Sequence, residues 1–197
     1  MPLFLTILVL SYLLGAVPFG LLISKRRGID VRERGSGNIG ATNVLRSVGK
    51  KEAALTLLAD TVKGMVPAIA AQAITGDSMT AALAGAAAVS GHVFPVFLKF
   101  KGGKGVATAL GVLIYITPKA ALGAMLVFGA VVFLSKYVSL GSISAAIAAP
   151  ILAALFHYGK YAIISAAAIA FLVIARHHQN ILKLIEGTEN KLGKERK

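Results

Sequence analysis

The sequence predicts an all-α integral membrane protein with seven transmembrane helices, from its composition, its apolar runs and its distribution of charge. Of the 197 residues, 56% are hydrophobic and 15% are charged, whereas typical soluble domains carry about 25% charged residues. The mean hydropathy is +0.77. Long apolar runs alternate with basic loops, as in multi-pass membrane proteins. Since no repeat or linker interrupts the chain, we expect one membrane-embedded domain over residues 1–197.

The helices can be placed in order, because polar, glycine or proline residues bound each apolar run. The run 106–117 is short for a span, since crossing a bilayer takes about 20 residues. Pro118 separates this run from the next one, so we count the two as separate spans. The predicted spans are 3–23, 53–74, 79–97, 106–117, 120–135, 142–156 and 161–175.

The orientation follows from the positive-inside rule. With seven spans, one side holds the segments 24–51, 99–104, 136–141 and 176–197, which contain 18 of the 21 lysines and arginines. A single span over 106–135 would instead place the basic tail outside. We therefore predict a protein of the plasma membrane (the cell inner membrane), with an outside N-terminus, a cytoplasmic C-terminus and short interfacial helices or loops on the cytoplasmic side.

Charge and cysteine content limit the possible functions. The chain contains no cysteine, which excludes disulfides, a thiol nucleophile and a thiolate metal site. A net charge of +13 could suggest a nucleic-acid partner. In a membrane protein, however, cytoplasmic-loop bias and attraction to anionic lipids or substrates explain that charge. We expect the lipid bilayer as a partner, no nucleic acid and no obligate protein partner.

The longest polar, glycine-rich segment is 35–46, with the sequence GSGNIGATNVLR. Its glycines permit positive φ, and the guanidinium of Arg46 suits phosphate oxygens. A short helix from about Ala41 would direct its N-terminus at the turn, which favours anions. The segment therefore predicts an anion site, with a flexible loop between two spans as the open alternative. Its glycines are Gly35, Gly37 and Gly40, and its short polar side chains are Ser36, Asn38, Thr42 and Asn43.

The spacing of these glycines also matches the dinucleotide-binding fingerprint, but that function is excluded. The fingerprint has this meaning only after a buried strand within a βαβ unit. The preceding residues, 30–34, read DVRER and do not form such a strand.

A second polar segment, 91–105, ends in three glycines around a lysine. Lys104 stands between Gly103 and Gly105 at the start of a predicted helix, which suits a phosphate group. The segment does not match the P-loop pattern. Lysines at a membrane surface often extend toward the headgroups, and we expect this of Lys99 and Lys101. For Lys104 a position at the membrane surface is the open alternative, although a surface lysine needs no glycines nearby, such as Gly102.

The third polar segment, 176–191, follows the last span. His177 and Asn180 are three residues apart, so on a continuing helix they share a face. Gly187 is expected to end that helix. Beside a bound hydroxyl, His177 could orient the group or accept its proton. For His178 we expect only a position among the lipid headgroups.

Several single residues need a separate interpretation. Asp60 and Lys63 are i, i+3 on an apolar helix and predict a structural ion pair. His92 is either a buried structural residue or a catalytic one. Ser142 is either a helix-start cap or a ligand hydroxyl. No two acids form a convincing Mg²⁺ pair, so we expect no metal and no cofactor, with phosphate groups held by protein donors on the cytoplasmic side.

With these three segments the sequence resembles the bacterial acyl-phosphate:glycerol-3-phosphate acyltransferases, the PlsY family. The resemblance covers nearly the whole chain, and its signatures are 35–46, GHVFPVFLKFKGGKGVAT at 91–108, and RHHQNI with GTENK within 176–191. The family usually has another basic residue where His178 stands. The resemblance implies a transferase of phospholipid biosynthesis, which moves a fatty acyl group from acyl phosphate to the 1-hydroxyl of glycerol 3-phosphate. The products are lysophosphatidic acid and inorganic phosphate.

The resemblance also implies roles for individual residues. Ser36, Arg46, His177 and Asn180 are expected to serve catalysis or hold the acyl phosphate. The loop of Gly102, Gly103, Lys104 and Gly105 is expected to bind glycerol 3-phosphate. From the residues themselves, rather than from the resemblance, we also expect substrate binding by Gly37, Asn38, Thr42, Asn43 and Ser142.

An acyl phosphate is already activated, so we expect direct attack by the glycerol hydroxyl, helped by positioning and charge stabilisation. Either His177 or a substrate phosphate oxygen accepts the proton. A covalent acyl-Ser36 intermediate is disfavoured, because no base is evident beside Ser36 in the sequence. The alternative functions are a transporter of an organic phosphate and, disfavoured by the poor acidic inventory, a metal-dependent head-group phosphotransferase.

Overall fold

The computed structural model describes residues 1–193, and within them the protein is all-helical, as predicted. Ten α-helices are joined by loops and two short 3₁₀ turns, and these residues contain no strand. The turns are Val31–Glu33 and Val96–Leu98. The helices are α1 (Pro2–Ala16), α2 (Phe19–Lys25), α3 (Ala41–Ser47), α4 (Lys50–Thr75), α5 (Ser78–Val93), α6 (Val106–Ile116), α7 (Pro118–Ser135), α8 (Val138–Leu155), α9 (Lys160–Arg176) and α10 (His178–Ile185).

Five helical segments are long and apolar enough to cross a membrane. They are Pro2–Lys25, Lys50–Thr75, Ser78–Leu98, Pro118–Ser135 and Val138–Leu155. A sixth candidate is the pair α9 and α10, which is bent by 57° at the junction. Helix α6 is apolar but only 11 residues long. These helices fit an integral membrane protein.

The predicted break at Pro118 is confirmed. Helix α6 ends at Ile116 and α7 begins at Pro118. Proline suits the first position of a helix, because the N–H that it lacks would have no partner there.

The chain divides into two compact units, Met1–Ile116 and the part from Thr117 onward. In the first unit, α5 packs against α1, and α4 packs against both α5 and α6. In the second unit, α8 packs against α7 and α9. The expectation of a single domain stays a prediction.

Close packing in the first unit depends on glycines that let helix backbones approach. On α4, a Cβ at Gly64 would overlap the carbonyl of Thr108 on α6. A Cβ at Gly111 on α6 would in turn overlap the carbonyl of Thr61 on α4. Small residues at such contacts are typical of helix pairs in membranes, where packing replaces the hydrophobic effect as the driving force.

The polar segment between α2 and α4 is folded around its own small apolar core. Val31, Ile39 and Val44 are buried with Leu21 of α2 and Ala53 of α4. Apolar burial thus fixes the loop on both neighbouring helices. This anchoring favours a built site over the alternative of a flexible loop.

Candidate active site

The segment 35–46 forms a tight turn followed by a short helix. Gly35 and Gly37 have positive φ, +58° and +70°, which glycine adopts without steric cost. The expectation for Gly40 is wrong, because its φ is −79° and it is the extended residue before α3. The helix expected from about Ala41 is confirmed as α3.

Asn43, on α3, holds this turn together with its side-chain amide. The side chain is buried, with 2% of its surface exposed. Its Oδ1 accepts the backbone N–H of Ser36 at 2.9 Å. Its Nδ2 donates to the carbonyls of Val31 at 2.9 Å, Arg34 at 3.1 Å and Asn38 at 2.8 Å. Substrate contact by Asn43 stays a prediction, and the geometry favours a supporting role, because its polar atoms are engaged within the turn.

The other polar residues of the segment are more accessible. Ser36 is exposed, and Thr42 and Arg46 are half-buried. Thr42 and Arg46 are four residues apart on α3 and therefore share a face. The Oδ1 of Asn38 accepts the N–H of Gly40 at 2.8 Å and so fixes the entry to the helix.

Two of the arginines near this segment are neutralised by acids. Arg27 pairs with Glu52 at 2.7 Å. Arg32 makes a two-nitrogen contact with Asp30, and this hydrogen bond lowers the pKa of Asp30 to about 2. Arg46 takes part in none of the ion pairs within residues 1–193. Its positive charge is thus not compensated by a carboxylate of the described chain.

The glycines of the second segment, 102–105, press directly onto the end of α5. The N–H of Gly103 donates to the carbonyl of His92 at 3.1 Å. A Cβ at Gly103 would overlap Nε2 of His92, and one at Gly102 would overlap the carbonyls of His92 and Val93. Gly105 has a φ of +82°. Lys104 is half-buried just before α6 begins at Val106, as expected.

His92 belongs to a buried polar chain in the first unit. Its side chain is 4% exposed, and its Nδ1 lies 3.8 Å from Oδ1 of Asp60. The predicted pair of Asp60 and Lys63 is confirmed, with Nζ at 2.8 Å from Oδ1. Lys63 also donates to the carbonyl of Val17 at 2.7 Å, in the break between α1 and α2.

In the third segment the expected continuous helix is wrong. Helix α9 ends at Arg176 and α10 begins at His178, with His177 between them at φ −96° and ψ 7°. In a continuing helix the N–H of His177 would donate to Val173; here it donates to Ile174 at 2.9 Å. The Val173 carbonyl is instead bound by Nδ1 of the His177 imidazole, at 2.7 Å. The side chain therefore stabilises the bend in the chain.

This contact also fixes which nitrogen of His177 can act as a base. A carbonyl oxygen only accepts hydrogen bonds, so Nδ1 carries the hydrogen. In the neutral ring, Nε2 is then the nitrogen able to accept a proton.

Asn180 is held by Glu189, a carboxylate for which the sequence alone predicts no role. Glu189 accepts from Nδ2 of Asn180 at 2.9 Å and from Oγ of Ser139 at 3.0 Å. Because Nδ2 is bound to Glu189, the orientation of the amide is fixed. Glu189 lies within the third family signature, and that motif is the signal that could have identified it. The expected end of the helix is confirmed, with Gly187 at φ +67°.

Ser142 lies inside α8 and is not a helix-start cap, because the helix begins four residues earlier at Val138. Its Oγ donates to the carbonyl of Val138 at 2.9 Å. Its expected contact with substrate stays a prediction. Among the described residues, no three His, Cys, Asp or Glu side chains converge as a metal site; the expected lack of a metal also stays a prediction.

Comparison with known proteins gives consistent results over nearly the whole chain. The family model for glycerol-3-phosphate acyltransferase matches residues 5–187. A glycerol-3-phosphate acyltransferase of Syntrophotalea carbinolica is 50% identical over 192 residues, which cover 95% of this chain and 97% of the relative.

Solved structures agree with this family. The crystal structure of PlsY (YgiH), an integral membrane glycerol 3-phosphate acyltransferase, in its glycerol 3-phosphate form has a TM-score of 0.92 and 43% identity, covering 96% of each chain. The lysophosphatidic acid form of PlsY gives a TM-score of 0.91 at the same identity, with 96% of this chain and 95% of that chain covered. Together, these matches show that the chain belongs to the glycerol-3-phosphate acyltransferase family.

Proposed function

We propose that this protein transfers a fatty acyl group from acyl phosphate to the 1-hydroxyl of glycerol 3-phosphate. The products are lysophosphatidic acid and inorganic phosphate, as expected of an enzyme of phospholipid biosynthesis. The observation that carries the proposal is the match, over 96% of the chain, to an acyltransferase solved in its glycerol 3-phosphate form. The alternative of an organic-phosphate transporter finds no support among these relatives.

The donor phosphate and the acceptor phosphate each need a cation in this proposal. Arg46 is assigned to the acyl phosphate, since a planar guanidinium can bind two phosphate oxygens at once. Lys104, with the backbone of Gly102, Gly103 and Gly105, is assigned to glycerol 3-phosphate. Support comes from the uncompensated charge of Arg46 and from the position of Lys104 directly before α6.

The reaction is a direct attack of the glycerol hydroxyl on the acyl carbonyl carbon. The new C–O bond forms, the bond from this carbon to the phosphate oxygen breaks, and phosphate leaves with the electron pair. The hydroxyl proton goes to Nε2 of His177 or to a phosphate oxygen of the substrate. Asn180 donates to Glu189 through Nδ2, which leaves its Oδ1 as the acceptor for a glycerol hydroxyl.

Further contacts to the substrates are assigned to short polar residues. Ser36 binds the phosphate of the donor as a hydrogen-bond donor, and the isolation of an acylated Ser36 would contradict this role. The exposure of Ser36 supports it. Additional contacts are assigned to Gly37, Asn38, Thr42 and Ser142.

In the proposed topology, seven spans cross the plasma membrane. The N-terminus lies outside and the C-terminus lies in the cytoplasm. The five long segments, the bent pair of α9 and α10, and the short α6 supply these spans. The active side faces the cytoplasm. Protein groups bind the substrate phosphates in this proposal, so it includes no metal or cofactor. It includes no obligate protein partner either.

One assay tests this function. Detergent-purified protein is given acyl phosphate, glycerol 3-phosphate or both, with a chelator present, and inorganic phosphate and lysophosphatidic acid are measured. We expect release of phosphate and formation of lysophosphatidic acid only with both substrates. If folded protein forms no product, the proposal is contradicted and the organic-phosphate transporter is favoured. If activity requires added metal, the metal-dependent phosphotransferase is favoured.

A further inference from the structure

We propose that His92 is a positioning residue for glycerol 3-phosphate, which acts through Gly103. The side chain is the last member of a buried polar chain that runs from the carbonyl of Val17 through Lys63 and Asp60. This inference rests on the proposed function of the glycine loop 102–105. It assigns a role in substrate affinity to a residue that would not itself touch the substrate.

The first step is the direct contact between His92 and the loop. The carbonyl of His92 accepts the N–H of Gly103 at 3.1 Å. The three atoms nearest to a Cβ built at Gly103 all belong to the imidazole of His92. The ring is thus the surface on which the backbone of Gly103 rests, and it sets the height of the loop next to Lys104.

The second step is the surroundings of the ring. Its Nδ1 lies 3.8 Å from Oδ1 of Asp60, a close approach that is longer than a hydrogen bond. Asp60 is 2% exposed and pairs with Lys63, which is equally buried. Breaking a buried ion pair leaves a charge uncompensated, which favours keeping this arrangement beside the ring. Lys63 also binds the Val17 carbonyl, at the break between α1 and α2. Through these contacts the loop is connected to α4 and to the break between α1 and α2.

The third step is the consequence for binding. The N–H of Gly103 itself is bound to the His92 carbonyl, so the groups assigned to the phosphate are Lys104 and the backbone on either side of Gly103. These groups lose affinity for phosphate when the loop shifts by a fraction of an ångström, because the donors no longer point at the oxygens. Removal of the ring in His92→Ala leaves a cavity under Gly103. The loop then loses its support, while Lys104 and the glycines are retained.

The test is a double-mutant cycle between His92 and Gly103. We expect His92→Ala to raise the KM for glycerol 3-phosphate by about tenfold, with a smaller change in the KM for acyl phosphate. Gly103→Ala should raise the same KM by more, because the added methyl overlaps the ring. In the double variant the methyl occupies the space of the missing ring, so the KM should be lower than in Gly103→Ala alone.

Gly102→Ala provides the matched control. Its Cβ would overlap the carbonyls of His92 and Val93 and the ring of Pro95, none of which is removed by His92→Ala. In the cycle that combines His92→Ala with Gly102→Ala, the KM for glycerol 3-phosphate should therefore be no lower than in Gly102→Ala alone. Melting temperatures in detergent are measured in parallel. Relative to the single glycine variant, the melting temperature should recover when His92→Ala is combined with Gly103→Ala, and not when it is combined with Gly102→Ala.

The outcomes separate this inference from the proposed function. An unmodified protein without acyltransferase activity contradicts both. An active protein in which His92→Ala leaves the KM for glycerol 3-phosphate unchanged contradicts the positioning role alone. The positioning role is also contradicted if the KM for glycerol 3-phosphate rises no more than the KM for acyl phosphate. It is contradicted as well if the double variant has a KM no lower than Gly103→Ala, since a general structural role of His92 would explain either result.

Discussion

The two segments assigned to phosphate binding in the first unit reach a fixed shape by opposite means. The turn at 35–46 is organised by one side chain, the buried amide of Asn43. The loop at 102–105 is organised by the lack of side chains, since Gly102 and Gly103 lie directly on the end of α5. Among its own residues, the first segment should therefore fail when a side chain is removed, and the second when a methyl group is added.

The largest effect is expected for Asn43→Ala. The change removes an acceptor and a donor that together hold four backbone groups, three of them carbonyls. Loss of these hydrogen bonds within a buried turn should cost about 3 kcal/mol of stability. Acyltransferase activity should fall about 100-fold because the turn loses its shape. Melting temperature and kcat/KM measure the two effects.

Ser47→Ala is the control for Asn43→Ala, since its hydroxyl contacts the same Oδ1 only weakly, at 3.4 Å. It should retain nearly full activity. Equal losses in the two variants would show that the amide of Asn43 is not what organises the turn.

Arg46→Lys tests the charge that the first segment presents. The variant keeps the positive charge but loses the two-point contact of a guanidinium. We expect activity to fall by about 10- to 100-fold, with an unchanged melting temperature, since none of the ion pairs of the described chain involves Arg46. Near-normal turnover would mean that Arg46 is only a surface charge.

Gly105→Ala tests the second segment through its backbone. At a φ of +82° an alanine is strained, and the expected loss of stability is about 1–2 kcal/mol. The KM for glycerol 3-phosphate should rise as well. Gly28→Ala is the control, because Gly28 has a similar φ of +71° and open space around it. A rise in KM in both variants would show that strain alone, anywhere in the unit, impairs binding.

The smallest effect is expected for Asp30→Asn, at the turn before the first segment. The pKa of Asp30 is lowered from 3.8 to about 2 by Arg32. The carboxylate therefore stabilises the folded state above pH 3.8, and this contribution is lost as the pH falls toward about 2. Because the pair is solvent-accessible, the gain is small.

The difference in melting temperature between the unmodified protein and Asp30→Asn should shrink over that pH range. A difference that stays constant would show that the ion pair contributes nothing.

The sequence was sufficient for features that depend on near neighbours. The break at Pro118, the end of α10 before Gly187, and the pair of Asp60 and Lys63 all follow from residues within four positions of one another. The polar segments themselves were evident from their glycines, basic residues and short polar side chains, and the resemblance to a family added roles for their residues.

Features that depend on distant contacts could not be predicted. The supporting role of Asn43 depends on carbonyls up to 12 residues away, and the contact of Glu189 with Ser139 joins residues 50 positions apart. The bend at His177 could not be predicted for a different reason. A side chain there supplies a hydrogen bond that the backbone supplies in a regular helix, and periodicity carries no sign of such an exchange.

In the proposed mechanism His177 has two roles, since its contact with the Val173 carbonyl shapes the bend and its Nε2 is a candidate proton acceptor. A variant without any donor, such as His177→Ala, would disturb the corner between α9 and α10 along with any proton transfer, so its inactivity would have two causes. Asn at this position can keep the donor for Val173 while removing the basic nitrogen. Evolution faces the same restriction, because a replacement must satisfy the shape of the corner before it can alter the reaction.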